Sequence, residues 1–192
     1  MSRSKPRRRK PRPYAPGKYS ATKVLSASDR HLVSRFSYGL TPQLTAEVLA
    51  SGGAGAWLQK QVAAADSRSD ESLADWWPDL HLDPGQLIAR AQAGTRPGYQ
   101  VMRDYGNRLL LRRVLTPHQV REVLTEFWEN HPHVPALGEI QYLARASYGD
   151  AIRSRALGRF DDLLLAAISH PAMLAYLDNV TSTKTRPNEN LG

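Results

Sequence analysis

Residues 99–133 read YQVMRDYGNRLLLRRVLTPHQVREVLTEFWENHPH, and this stretch decides the fold. Val101, Met102, Tyr105, Leu109, Leu110 and Val114 recur near the helical period of about 3.6 residues. Thr116-Pro117 stops that helix and opens a second one. In the second, Val120, Val123, Leu124, Phe127 and Trp128 are expected to face inward, and Pro132 and Pro135 end it.

The flanking segments repeat the pattern in both directions. Upstream, Ser28 or Asp29 is expected to cap a helix carrying Leu32, Val33 and Phe36, with Gly39 as its stop. Thr41-Pro42 is a cap followed by proline at the first helical position, and Leu44, Val48 and Leu49 follow until Gly52-Gly53. Ala56, Trp57, Gln61 and Val62 mark a third helix, residues 65–82 read as a loop, and Asp83-Pro84 opens a helix that Gly94 ends. Downstream, Tyr142 to Leu157 is expected to be helical in part, broken at Gly149. Phe160, Leu163, Leu164 and Ile168 form another stripe, and Ser169-His170-Pro171 opens a short helix with Met173, Leu174 and Leu177. Asp178 to Gly192 reads as loop. No stretch alternates with period two between hairpin turns. The expected class is all-α, an irregular multi-helix bundle over residues 28–192.

Charge is concentrated at one end. The 192 residues hold 26 Lys and Arg against 18 Asp and Glu. Eight of the basic residues fall within residues 1–20, so the remainder balances at 18 against 18. The net charge of +8 therefore belongs to a tail, and residues 1–27 are expected to be disordered, because proline-broken like charges repel. Arg7, Arg8, Arg9, Lys10 and Arg12 are its candidate anion-binding residues, able to attach to an anionic polymer or surface without reading sequence. Neither a secretory h-region nor a run long enough to span a membrane is present in the sequence, which favours a cytoplasmic placement. Cysteine is absent, so disulfide and thiolate chemistry are excluded.

Two polar clusters are the places where chemistry could sit. The first is Glu126 to His133, where Asn130, His131 and His133 emerge as an amphipathic helix ends. His131 and His133 are weak metal-ligand candidates, since two imidazoles fall short of a coordination set and match no zincin spacing. The plainer reading makes Asn130 and His131 helix-end hydrogen bonders. The second cluster is Asp178-Asn179 with Asn188-Glu189-Asn190, whose oxygens suit either a hard cation or, more economically, turns. Glu122, Glu126 and Glu129 fall near one helix face, read as solvated. The G-x-S-x-G, P-loop and G-x-G-x-x-G patterns are absent. Cofactor use and enzymatic activity stay undetermined at this level.

The motifs carry a resemblance. Leu32-Val33-Ser34-Arg35-Phe36-Ser37-Tyr38-Gly39-Leu40-Thr41-Pro42 is similar to the opening segment of the bacterial domain-of-unknown-function family 1800. Trp57-Leu58-Gln59-Lys60-Gln61 is similar to its W-L-x-x-Q-L helix, and Phe127-Trp128-Glu129-Asn130-His131 matches its F-W-x-N-H signature. Ile152 to Asn190 resembles its long run that ends in Y-L-D-N…P-N-E-N. Pro132 stands where the family usually has an aromatic.

The resemblance implies a mostly helical bacterial protein with no catalytic residue assigned and with relatives often predicted to be exported. It also implies that this sequence is the N-terminal part of a longer, truncated family domain, incomplete at its C-terminus. The stripes at 99–128 and 158–177 would then stay partly uncovered and favour association. Three functional readings follow. A structural or interaction role comes first. A hydrolase-like or metal-binding site formed by convergence of Asn130 and His131 with Asp178, Asn179, Asn188, Glu189 and Asn190 comes second. Attachment to nucleic acid or an anionic surface through the tail comes third.

Overall fold

Side-chain caps start the first four helices, but not always the caps nearest in sequence. In the computed structural model, which describes residues 23–64, 76–136 and 138–191, α1 (Ala27–Arg35) begins after Ser26. The Ser26 hydroxyl oxygen accepts from the Asp29 N–H at 3.1 Å. The expected caps Ser28 and Asp29 lie inside the helix instead. Asp29 is used elsewhere: its carboxylate accepts from the Ala54 N–H at 2.9 Å and so caps α3 (Ala54–Ala63). That helix follows Gly53, which offers no side-chain oxygen and sits at φ 115°. The bond from Ala54, then that from Ser26, hold the Asp29 carboxyl below its ordinary pKa. At α2 (Pro42–Ala50) Thr41 Oγ1 accepts from the Leu44 N–H at 3.0 Å. At α4 (Pro84–Gln92) Asp83 and Gln86 form a reciprocal capping box.

The later elements are α5 (Gly98–Leu115), α6 (Gln119–Asn130), α7 (Glu139–Arg153), α8 (Phe160–Ile168) and α9 (Pro171–Tyr176). Among the described residues there is no strand, so the chain is all-α. Three apolar clusters hold it together. Val33, Val48 and Trp57 close α1, α2 and α3 on Val120 of α6. Leu87, Val101, Tyr105 and Leu143 join α4, α5 and α7. Tyr148, Ile152, Leu163 and Met173 join α7, α8 and α9. Helix α7 packs against α4, α5, α6, α8 and α9, which makes it the hub. The α3–α6 junction is fastened by Gln61, whose Nε2 donates to the Pro117 carbonyl at 2.8 Å.

Several expectations change. Gly149 does not break a helix, because α7 runs through it. A Cβ built there would overlap the Tyr105 hydroxyl and the Glu129 carboxylate, so the missing side chain is a slot for that pair. Pro78–His81 is a short 3-10 helix inside the segment read as a loop, while residues 65–75 lie outside the described residues. Asn179–Thr181 and Glu189–Leu191 form 3-10 turns in the C-terminal segment read as loop. Leu25 is buried and α1 starts at Ala27, so ordered structure reaches into the segment read as tail. Phe127 faces outward, and so do Leu110 and Val114. No described helix is long and apolar enough to cross a membrane.

The slot at Gly149 reverses an ordinary expectation. Glycine to alanine inside a helix usually stabilises by about 1 kcal/mol. Gly149→Ala should instead cost about 1–3 kcal/mol through overpacking, read as a lower urea midpoint. Adding Tyr105→Phe, which removes the overlapping hydroxyl, should recover part of that loss.

Candidate functional site

Helix α5 carries two of its arginines, Arg108 and Arg112, inward. Val101, Tyr105, Arg108 and Arg112 advance by four, three and four residues, share one face and are buried. Leu110 and Val114 lie on the opposite face of the helix, 64% and 69% exposed. The hydrophobic stripe read from the sequence therefore mixes two faces. The face that looks into the fold turns cationic halfway along the helix.

The carboxylates that receive these cations come from α6 and α7. Arg108 Nη2 donates to both oxygens of Asp150, at 2.9 and 2.8 Å. Arg112 Nη1 donates to Asp150 Oδ1 at 3.3 Å. Arg153 Nε donates to Glu122 Oε1 at 2.7 Å, and Arg121 lies on the same carboxylate at 3.7 Å. Arg145 Nη1 donates to Glu129 Oε1 at 3.3 Å, and the Tyr105 hydroxyl donates to the same oxygen at 2.6 Å. The Arg145 guanidinium also lies over the rings of Tyr105 and Tyr148, 5.5 and 5.4 Å from their centroids. One polar network thus threads α5, α6 and α7 between the apolar clusters. Glu122 and Glu129, read as part of a solvated face, are buried. Glu126 alone of the three keeps partial exposure, meeting Arg113 at 3.3 Å and the Tyr38 hydroxyl at 3.0 Å.

Electrostatics follow from burial. Desolvation, then the Glu129 charge, push the Tyr105 phenol well above its ordinary pKa, so it stays a neutral donor. Burial lowers the Arg112 pKa, and the Arg153 and Arg108 charges lower it further. Burial also opposes the Arg145 charge, but Tyr105 and Glu129 outweigh it and its pKa ends above the ordinary value. Tyr148 is pushed up to about 12 by burial, and its hydroxyl donates to the Pro132 carbonyl.

The residues singled out in the sequence sit apart from this network. Asn130 ends α6 and is exposed. His131 is the exposed C-cap, its ring stacked against Phe127 at 6.1 Å and edge-on to Trp128. His133 is exposed. Asn188 N–H donates to Ser182 Oγ, and Asn190 N–H donates to Asn188 Oδ1 at 2.8 Å, which is turn chemistry. Asp178 adopts a left-handed φ of 56° between α9 and the turn at Asn179; Glu189 opens the last turn. Among the described residues, no hydrogen bond, ion pair or ring contact joins Asn130 or His131 to Asp178, Asn179 or 188–190. No group of three or more His, Asp or Glu among the described residues could hold a metal ion. Arg7, Arg8, Arg9, Lys10 and Arg12 lie outside the described residues.

One serine–histidine pair also has the wrong protonation for catalysis. Ser147 Oγ lies 3.4 Å from His170 Nε2. His170 Nδ1, however, accepts from the Ala172 N–H at 3.2 Å and caps α9. The neutral ring therefore carries its proton on Nε2 and cannot take one from the serine. Ser147 instead donates to the Ala144 carbonyl at 2.9 Å.

Two measurements check these assignments. Glu122→Ala should cost about 3–5 kcal/mol by leaving buried guanidinium charge unanswered, whereas Glu126→Ala should cost about 0–1 kcal/mol at its wetter site. The His170 pKa is lowered from 6.5 by burial first and the Arg145 charge second. Unfolding therefore takes up a proton between its native value and 6.5, and stability falls as pH drops below that ordinary value. His170→Asn replaces the capping Nδ1 by an amide oxygen that does not titrate, so it should flatten the difference between urea midpoints at about pH 5 and about pH 7.5.

No curated protein and no solved structure matches the chain. A family model described as "Protein of unknown function (DUF1800)" matches residues 31–192, most of the chain. The agreement spans the buried network and both polar clusters, and the chain belongs to that family.

Proposed function

We propose that the protein is an interaction protein, a helical scaffold whose α5 receives an apolar helix from a partner. The observation that carries this reading is the inversion of α5: Arg108 and Arg112 are buried while Leu110 and Val114 face water. Burying guanidinium groups under leucines that stay exposed is costly for an isolated surface helix. It is consistent with an outer face that a partner covers.

The shape of that face agrees. Trp76, Trp77, Asn107, Leu110, Leu111 and Val114 line an open groove of about 360 Å³. Positions 107, 110, 111 and 114 recur at helix spacing, the ridge against which a second helix packs. Arg103 extends the same stripe and is 65% exposed. The partner that fits has an apolar helical ridge flanked by acidic residues.

Leu110→Glu with Val114→Glu should leave stability within about 0.5 kcal/mol, because neither side chain is in the core. A benzoylphenylalanine crosslinker at position 107, in the same groove, should capture one apolar helical segment, and the double variant should abolish that capture. Equal capture from an exposed control position such as Arg155, or capture that survives the double variant, would refute the reading.

A further inference from the structure

A second groove opens where the described chain begins. Val24, Leu40, Pro42 and Leu49 line it beside α2, with Lys23 and Arg30, and its volume is about 770 Å³. That size falls in the range of about 300–1,000 Å³ that ligand clefts take. Val24 is 69% exposed, Leu40 41% and Leu49 40%, and none of them belongs to the three apolar clusters. Aliphatic side chains gathered in one open groove are a docking surface, unlike single apolar residues scattered over an exterior.

The charge around this groove has one sign. Lys23 and Arg30 are exposed, and among the described residues no carboxylate lines the groove and neither cation is ion-paired. The acids of α1 and α2 are bound elsewhere: Asp29 accepts from the Ala54 N–H, and Glu47 accepts from the Trp57 indole at 3.0 Å. Residues 1–22 lead directly into Lys23 and carry eight basic residues and no acidic one. Like charge therefore argues against this tail, from the same chain or a second copy, as the occupant. Nucleic acid would answer the cations but not the aliphatic walls, because its attachment rests on phosphate charge. An anionic bilayer answers both, with head-group phosphates for the cations and acyl carbon for the groove.

We infer that the groove beside α2 and the basic residues leading into it form one docking surface for an anionic lipid bilayer. Arg7, Arg8, Arg9, Lys10 and Arg12 supply the charge attraction, Lys23 and Arg30 meet the head groups, and Val24, Leu40 and Leu49 meet the acyl chains. Stable attachment needs both signals, because a single weak anchor is readily reversible. This inference does not draw on the groove of α5, since none of its residues is shared with that site.

Co-sedimentation of the whole chain with vesicles tests it, comparing equal parts phosphatidylcholine and phosphatidylglycerol with phosphatidylcholine alone. The anionic vesicles should bind about tenfold more tightly or better. Arg30→Gln should weaken that binding about fivefold, and changing Arg7, Arg8, Arg9, Lys10 and Arg12 together to Gln should weaken it by about a hundredfold or more. Val24→Ser with Leu49→Gln changes no charge and lies outside the core; it should weaken binding about tenfold while leaving the urea midpoint unchanged. The chain has no cysteine, so Ala46→Cys gives a single site in the groove for an environment-sensitive dye, whose emission should move to the blue on anionic vesicles. Equal binding to both vesicle types, or binding to neither, overturns the inference. Binding that the Val24 and Leu49 variant leaves intact overturns it too, since attachment is then the tail's charge alone and nucleic acid serves as well as lipid. A dye that does not shift on bound vesicles has the same consequence.

Discussion

Arg108 is fully buried, and its Nη2 rests on both oxygens of Asp150. The rest of the structure depends on this contact of a buried guanidinium with a partly exposed carboxylate. It holds α5 against α7, the helix on which α4, α6, α8 and α9 also pack. Taking the Arg108 guanidinium out of water costs several kcal/mol, and good geometry on Asp150 only roughly offsets it. The contact therefore adds less to stability than to the choice of arrangement. A register shift of α5 by one residue would leave Arg108 buried without Asp150, and no apolar pairing could compensate for that charge.

The same constraint explains the rest of the network. Once α5 is placed with Arg108 and Arg112 inward, the surrounding helices must bring carboxylates to meet them. Glu122 and Glu129 are separated by two turns of α6 and so point the same way. Glu129 and Tyr105 share a bond only because Gly149 leaves room beside the α7 backbone. The aromatic rings contribute as well, with Arg145 lying over both Tyr105 and Tyr148. Orienting α5 in this way turns Leu110 and Val114 outward, and the outer groove with Trp76 and Trp77 is the consequence. The apolar exterior and the cationic interior are two results of one rotation of the helix.

The backbone was largely legible in the sequence. Thr41-Pro42, Asp83-Pro84 and His170-Pro171 each mark a helix start at the expected place, since caps and first-turn prolines act through bonds a few residues long. The glycines at 52, 53 and 94 stand at positive φ, where the chain leaves its helices. Ser26 in place of Ser28 or Asp29 shows the limit of such reading, because Asp29 is drawn away to a helix start 25 residues later. The functional side was much less legible. Asn130 and His131 stood out as a dense polar motif but ended on the surface, whereas Glu129 between Trp128 and Asn130 went inside. Spacing alone could have suggested Arg108 with Arg112, and Glu122 with Glu129, as same-face pairs. It could not say which face.

The amino-acid sequence by itself determined the all-helical class, the positions of most caps and stops, and the family, because these are written in local bonds and contiguous motifs. The tertiary structure decided how each helix is rotated about its axis. A helix with Leu110 and Val114 on one side and Arg108 and Arg112 on the other has two ways to lie against a neighbour. The choice between them rests on Asp150 and the space at Gly149, contributed by α7, and on Glu129 of α6. Burial of a charge is settled by its partners, and those partners are brought together only when the chain folds.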